Sequence, residues 1–182
     1  VRSSIRLMRQ IFPESETIGI IWNPAEACSE ACTEMARDAA DEFGFELTEA
    51  TVSSTGEVAD ALNLMLSKEV DIFLTSGDNT VMMTVESIAQ KLREKKIPYF
   101  TNSFLDVDRG AFISVGADYY EVGRETGKVA ERVIRGTPPK DIPIHSFVPE
   151  KIYLNMELAR EFGVEIPDSI KKAAAKIKGE TK

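Results

Sequence analysis

Between residues 17 and 135, short apolar runs alternate with helical patterns, and this alternation limits the chain to a small set of folds. The runs lie at 17–22 (TIGIIW), 45–52, 71–75 (DIFLT), 99–101 and 111–115. Most are apolar enough to be buried on both faces, as a parallel sheet requires. The run at 45–52 alternates more and suits a place nearer an edge. Between the runs, apolar residues recur at helical spacing: at 26–43, around Val58, Leu62 and Met65, at 80–94 and at 121–135. The last of these should turn Val122, Thr126, Val129, Ala130 and Val133 inward. Such alternation predicts an α/β fold, a doubly wound parallel sheet of about five strands with right-handed crossovers and helices on both faces.

Residues 3–12 fit a short leading helix ended by Pro13, and Gly44, Gly136 and Pro138-Pro139 punctuate later ones. Residues 140–182 break the rhythm. Two short strands are expected at 142–148 and 151–155, then helices at 156–162 and 168–178. This tail carries little apolar surface of its own and is expected to lie on another body. The chain therefore divides into a ligand-binding lobe, 1–135, and a crossover and helical tail, 136–182.

In an open α/β sheet, ligands bind beyond the carboxyl ends of the strands. Those ends read Trp22-Asn23, Ser53-Ser54, Ser76 to Thr80, Thr101 to Ser103 and Gly116 to Tyr120. They are rich in short hydroxyls and amides, with Asp78 and Asp118 among them. A small zwitterion needs such a set: N–H groups and hydroxyls for a carboxylate, an aspartate for an ammonium, an aromatic or apolar wall for the remainder. The turn Ser76-Gly77-Asp78-Asn79-Thr80 is the first candidate, because a helix start offers free N–H groups. Asp, Asn and Thr are equally good helix caps, so a capping role stands beside the binding one.

Other chemistries find less support. The net charge of −8 argues against a nucleic-acid partner. No apolar run is long enough to span a bilayer. Neither GxGxxG nor GxxxxGK occurs, no nucleophile elbow is present, and the one histidine, His145, lies in the tail. No enzyme activity, metal or cofactor is expected. Cys28, Cys32, Met35, Ala39 and Phe43 step by helical spacings and predict one apolar stripe with both thiols in the core. The opening VRSSIRLMRQ lacks an initiator Met and suggests a piece of something longer, so the lack of a leader says nothing about compartment.

The segments TIGIIWNPAEACS, ATVSSTGEV, TSGDNTV, IPYFTNS and GADYYEVGRETGKVAERVIRGTPPKDIPI, with the tail KIYLNMELAREFGVEIPDSI, resemble one family along nearly the whole chain. It is the extracytoplasmic substrate-binding proteins of ABC transporters, in the group of tryptophan/tyrosine-type binding lipoproteins. The resemblance implies a lobe of the periplasmic-binding-protein type I fold. Residues 1–135 would be the second lobe, 140–155 would cross the hinge, and 156–182 would pack on a first lobe absent from this sequence. It implies a binder of a small organic solute, an amino acid by preference, held between lobes and delivered to an ABC permease. The full protein would lie outside the cytoplasm, in a periplasm or lipid-anchored, although neither cysteine matches a lipobox. Carried over by position, Ser76, Asp78, Asn79 and Thr80 would touch the ligand's charged groups. Thr101, Asn102 and Ser103 would line the cleft, Asp118 and Tyr119 would complete its floor, and Trp22 and Asn23 would sit at the rim. TNS stands where a Ser-Asp or similar pair is expected, which makes Asp118 the preferred ammonium counter-ion and Asp78 a cap. The alternatives are a stand-alone sensing lobe that forms a homodimer through the surface a first lobe would cover, and a flavodoxin-like enzyme. The latter lacks a nucleophile–base pair.

Overall fold

The buried apolar runs become strands. A computed structural model describes residues 1–144 and 148–179. In it β1 (Thr17–Trp22), β2 (Glu46–Thr51), β3 (Ile72–Leu74), β4 (Tyr99–Thr101) and β5 (Ile113–Ala117) pair in parallel, in the order β2-β1-β3-β4-β5. The alternating β2 is the edge strand, since a strand with one wet face costs least there. One face of the sheet packs on α1 (Arg2–Ile11) and α2 (Ala27–Phe43), burying Ile5, Met8, Ala36 and Ala39 against Ile20 and Phe100. The other packs on α3 (Val58–Ser67), α4 (Asn79–Met82) and α5 (Val85–Glu94), burying Leu62, Met65, Val81, Ile88 and Leu92. The sheet is thus doubly wound. The helix expected at 80–94 is two, broken at Met83 and Thr84.

The tail departs from expectation. β6 (Glu150–Asn155) runs antiparallel beside β5, and β7 (Ala174–Lys178) runs parallel beside β6, so the sheet has seven strands among the described residues rather than about five. α7 (Met156–Phe162) and α8 (Asp168–Ala173) send Leu158, Ala159 and Ile170 into the same core as α1 and α2. The apolar residues are few, but they face one way, and this sheet covers them. The tail helices therefore rest on this lobe, contrary to the expectation of a separate body. The helix expected at 168–178 ends at Ala173. Beyond it, hydrogen bonding to β6 overrides the helix propensity of the alanines. Of the strand expected at 142–148, residues 142–144 form no strand, while His145, Ser146 and Phe147 lie outside the described residues.

What is left bare is α6 (Tyr119–Ile134), which has no buried residue. Val129 and Val133, expected to face a core, are 36% and 39% exposed, and Ile134 is 85% exposed. Its apolar stripe is real, but residues 139–144 alongside it cover it only in part. The cysteine stripe of α2 also fails. Its buried face carries Ser29, Thr33, Ala36, Ala39 and Ala40, while Cys28 is exposed, Cys32 half-buried and Met35 48% exposed. Small residues bring α2 close to the sheet. The two buried hydroxyls are satisfied: Thr33 donates to the Ser29 carbonyl, and Ser29 donates to Asp78.

Candidate functional site

β2 and β3 lie on opposite sides of β1, so the chain reverses direction of winding between β1 and β3. Open α/β sheets form their binding crevice at such a switch point. Here the end of β1 supplies Asn23 and the exit of β3 supplies Ser76 to Asp78. Asp78 is 2% exposed and caps α4, its Oδ1 accepting from the Val81 N–H at 2.7 Å. Its Oδ2 accepts from the Asn23 N–H at 2.6 Å and from the Ser29 hydroxyl at 2.6 Å. One carboxylate thus ties the ends of β1 and β3 to the first turn of α2. That is the capping role, and it leaves Asp78 no free oxygen for a ligand.

Asn79 and Thr80 are also engaged. Glu26 Oε2 accepts from the Asn79 N–H and side-chain amide, each at 2.8 Å. Its Oε1 accepts from the Thr80 N–H at 3.0 Å and the Thr80 hydroxyl at 2.6 Å. Asn23 Nδ2 in turn donates to Thr80 Oγ1 at 2.9 Å. The Thr80 hydroxyl and the Asn79 N–H lead in pulling the Glu26 pKa down to about 2. A carboxylate depressed below its ordinary value of about 4.3 contributes stability fully above that value. The contribution shrinks as pH falls through about 2. An NMR titration is expected to place the Glu26 midpoint near 2. A midpoint at the ordinary value would mean the four bonds are not populated in solution.

Beside this turn is a cleft of about 320 Å³ lined by Ser76, Gly77, Asn102, Ser103, Phe104 and Tyr119, and also by Cys28, Met82, Asp78 and Asn79. Ser76 is 1% exposed, and its hydroxyl has no hydrogen-bond partner among the described residues. A buried polar atom without a partner is costly, so it marks a place where a ligand atom would be welcome. Phe104 packs on Tyr153 with ring centroids 5.9 Å apart, and Tyr119 projects 73% exposed from the start of α6. The wall carrying Asn102 to Phe104 is pressed onto β5 at Gly116. A Cβ there would lie 2.7 Å from the Asn102 carbonyl oxygen, so only glycine permits the approach.

The structure brings together Ser76, Asp78, Asn79, Asn102, Ser103 and Tyr119 of the sequence candidates. Thr101 is wholly buried, sharing a 2.8 Å hydrogen bond with the Ser114 hydroxyl, and Asn23 and Thr80 face each other behind the turn. Trp22 lies under Arg37 and donates to Glu49, so its ring is not offered to the cleft. Asp118 caps α6 through the Tyr120 and Glu121 N–H groups and pairs with Lys151 Nζ at 2.5 Å. The Lys151 ammonium leads in holding its carboxyl below the usual range. The preferred counter-ion thus already has a cation, and among the described residues lining the cleft the one carboxylate, Asp78, is taken up by capping. Sequence reading missed Cys28, Met82 and Phe104. Cys28 and Met82 sit in helical stripes that look like core, and Phe104 lies in a loop without periodicity.

Among the described residues no helix is long and apolar enough to cross a membrane. The family model described as ABC transporter substrate binding protein matches residues 1–178. A tyrosine-binding protein of Clostridioides difficile is 24% identical over 165 residues, covering 91% of this chain and 48% of its own. The chain thus spans about half the length of that curated relative. Among solved structures, an ABC domain in complex with L-Trp from Streptococcus pneumonia superposes with a TM-score of 0.82 at 28% identity, over 97% of this chain and 59% of that one. A conserved domain protein from Vibrio cholerae gives 0.82 at 26% identity, over 97% and 60%. With the match running from the first helix to β7, and with the sheet and switch-point cleft in place, the chain belongs to the ABC transporter substrate-binding protein family.

Proposed function

We propose that this chain is the lobe of an ABC-importer substrate-binding protein that supplies one wall of an interlobe cleft for an amino acid with an aromatic side chain. The observation that carries the reading is the buried, unpartnered Ser76 hydroxyl in a cleft flanked by Phe104 and Tyr119 and open on one side. Ser76, Asn102 and Ser103 suit the polar end of such a ligand, and the rings suit its side chain. The tryptophan-bound and tyrosine-binding relatives support this ligand class. The ammonium would find its anion on the opposing lobe, since Asp118 is paired here.

The first lobe, from outside this sequence, would cover α6 rather than the tail. Val122, Val129 and Val133 line a groove of about 590 Å³ with Pro139, Ile142 and Ile144, an apolar strip edged by the charged Glu125, Lys128 and Arg132 that suits a partner surface. The reading is of a binder without catalysis, delivering its solute to a membrane permease outside the cytoplasm. The same bare groove favours a second reading, in which two copies of this chain pair through α6 as a sensing dimer.

Calorimetric titration of the full-length protein tests the proposal. L-tryptophan or L-tyrosine is expected to bind one to one, and Ser76→Ala to weaken that binding by about 1 kcal/mol. Binding of aliphatic but not aromatic amino acids would remove the ligand class. Unchanged affinity in Ser76→Ala would remove the hydroxyl from the site. A dimer of residues 1–182 that binds as tightly as the full-length protein would favour the sensing reading.

A further inference from the structure

The two thiols of α2 have a place the ligand site does not explain. Cys28 lines the cleft, Cys32 follows it one helical turn later, and both sulfurs lie over the backbone of Gly77. A Cβ at Gly77 would come within 2.9 Å of Cys28 Sγ and 3.5 Å of Cys32 Sγ, so the glycine is the floor on which the sulfurs meet. Met82, half-buried on α4, brings a thioether to the same cleft as Cys28. The Cys32 sulfur and burial lead in raising the Cys28 thiol pKa, and the carboxylates of Glu26 and Asp78 add to it.

We propose that Cys28 and Cys32, with Met82 as a weaker third donor, form a site for one soft monovalent cation, Cu(I) or Ag(I), on the wall of the cleft. Thiolate and thioether sulfurs select such ions. Among the described residues no three His, Cys, Asp or Glu side chains are placed to hold a metal, so the donors offered here are two thiols and one thioether, too few for a closed tetrahedral zinc site. Helix spacing separates the Cβ atoms of residues four apart by about 5–6 Å. A disulfide needs about 3.5–4.5 Å, so joining the two sulfurs directly would open the first turn of α2. Two metal–sulfur bonds of about 2.3 Å bridge the wider spacing without that distortion. On binding, both thiols release a proton to solvent, two metal–sulfur bonds form, and no electron is transferred. Loading leaves the site one charge more negative than the two thiols, so it is linked to proton release and strengthens as pH rises. Cys28 and Met82 line the cleft, so loading of an ion there would compete with an organic ligand.

The test is an anaerobic titration of the protein with Cu(I) held by a chromogenic bicinchoninate chelator. One equivalent per chain is expected to transfer. Cys28→Ser and Cys32→Ser should each weaken uptake at least tenfold, and Met82→Leu several-fold. Gly77→Ala should weaken uptake by displacing Cys28 Sγ, with circular dichroism unchanged. X-ray absorption should show sulfur neighbours only, three in the wild type and two in Met82→Leu. No transfer, two independently bound ions, or a Cys32→Ser variant that takes up Cu(I) as well as the wild type would overturn the site. So would a wild-type chain that loses two hydrogens to an internal disulfide under mild oxidation while keeping its helix content. These readouts do not depend on which amino acid the protein binds.

Discussion

Asp78→Ala is expected to cost about 3–5 kcal/mol of stability, far more than a surface cap. The carboxylate is 2% exposed and accepts from Val81, Asn23 and Ser29. Its removal strands three donors on the buried residues Val81, Asn23 and Ser29. Only the Asn23 N–H keeps an alternative, the Ser29 hydroxyl at 3.2 Å. Each stranded buried donor costs about 1–3 kcal/mol, and the losses overlap because the donors share one space. Urea unfolding should show a lower midpoint at unchanged slope. Asp78→Asn should recover only part, because its amide can keep one acceptor for Val81 but offers donors to Ser29 and Asn23. A loss below about 1 kcal/mol together with abolished ligand binding would reverse the assignment and make Asp78 a ligand contact.

The second large effect lies in the core that joins the tail to the sheet. Phe112 is 1% exposed and meets Phe12 of the loop after α1 at 5.9 Å, Phe100 of β4 at 6.1 Å and Phe162 of α7 at 5.9 Å, the last nearly parallel at 17°. Phe112→Ala should cost about 3–5 kcal/mol, the usual toll of an aromatic cavity in a core. A double-mutant cycle between Phe112 and Phe162 should yield a coupling of about 0.5–1.5 kcal/mol. Additive losses would mean α7 does not rest on this lobe in solution. The cycle therefore tests directly whether the tail belongs to this body.

Much of the architecture was legible along the chain. The apolar runs ending at Trp22, Leu74 and Thr101 announced strands, because burial on both faces leaves a signature in each residue type. Capping by Asp78 before α4 was legible as one of two readings beside ligand binding, since Asp before a helical pattern has a local mechanism. From these the doubly wound sheet and the position of its crevice follow. The cleft was legible in part: Ser76, Asn102 and Ser103 come from strand ends, which parallel winding must gather at one edge.

Tertiary structure decided the rest, wherever two elements compete for one partner. Cys28 and Ser29 are neighbours with opposite fates, because Asp78, 49 residues away, accepts from the Ser29 hydroxyl and turns that face of α2 inward. The alanines at 173–175 favour helix by themselves, but from Ala174 the chain is strand, since β6 offers an edge to complete. Asp118 reads as a free anion until β6 brings Lys151 alongside. The bare stripe of α6 reads the same as a buried one, because periodicity records that a face is meant to be covered and not by what. Sequence by itself determined which segments are strands and where their ends gather. Only the packed structure decided which polar groups remain without partners, because hydrogen bonds and contacts between distant residues leave no period to read.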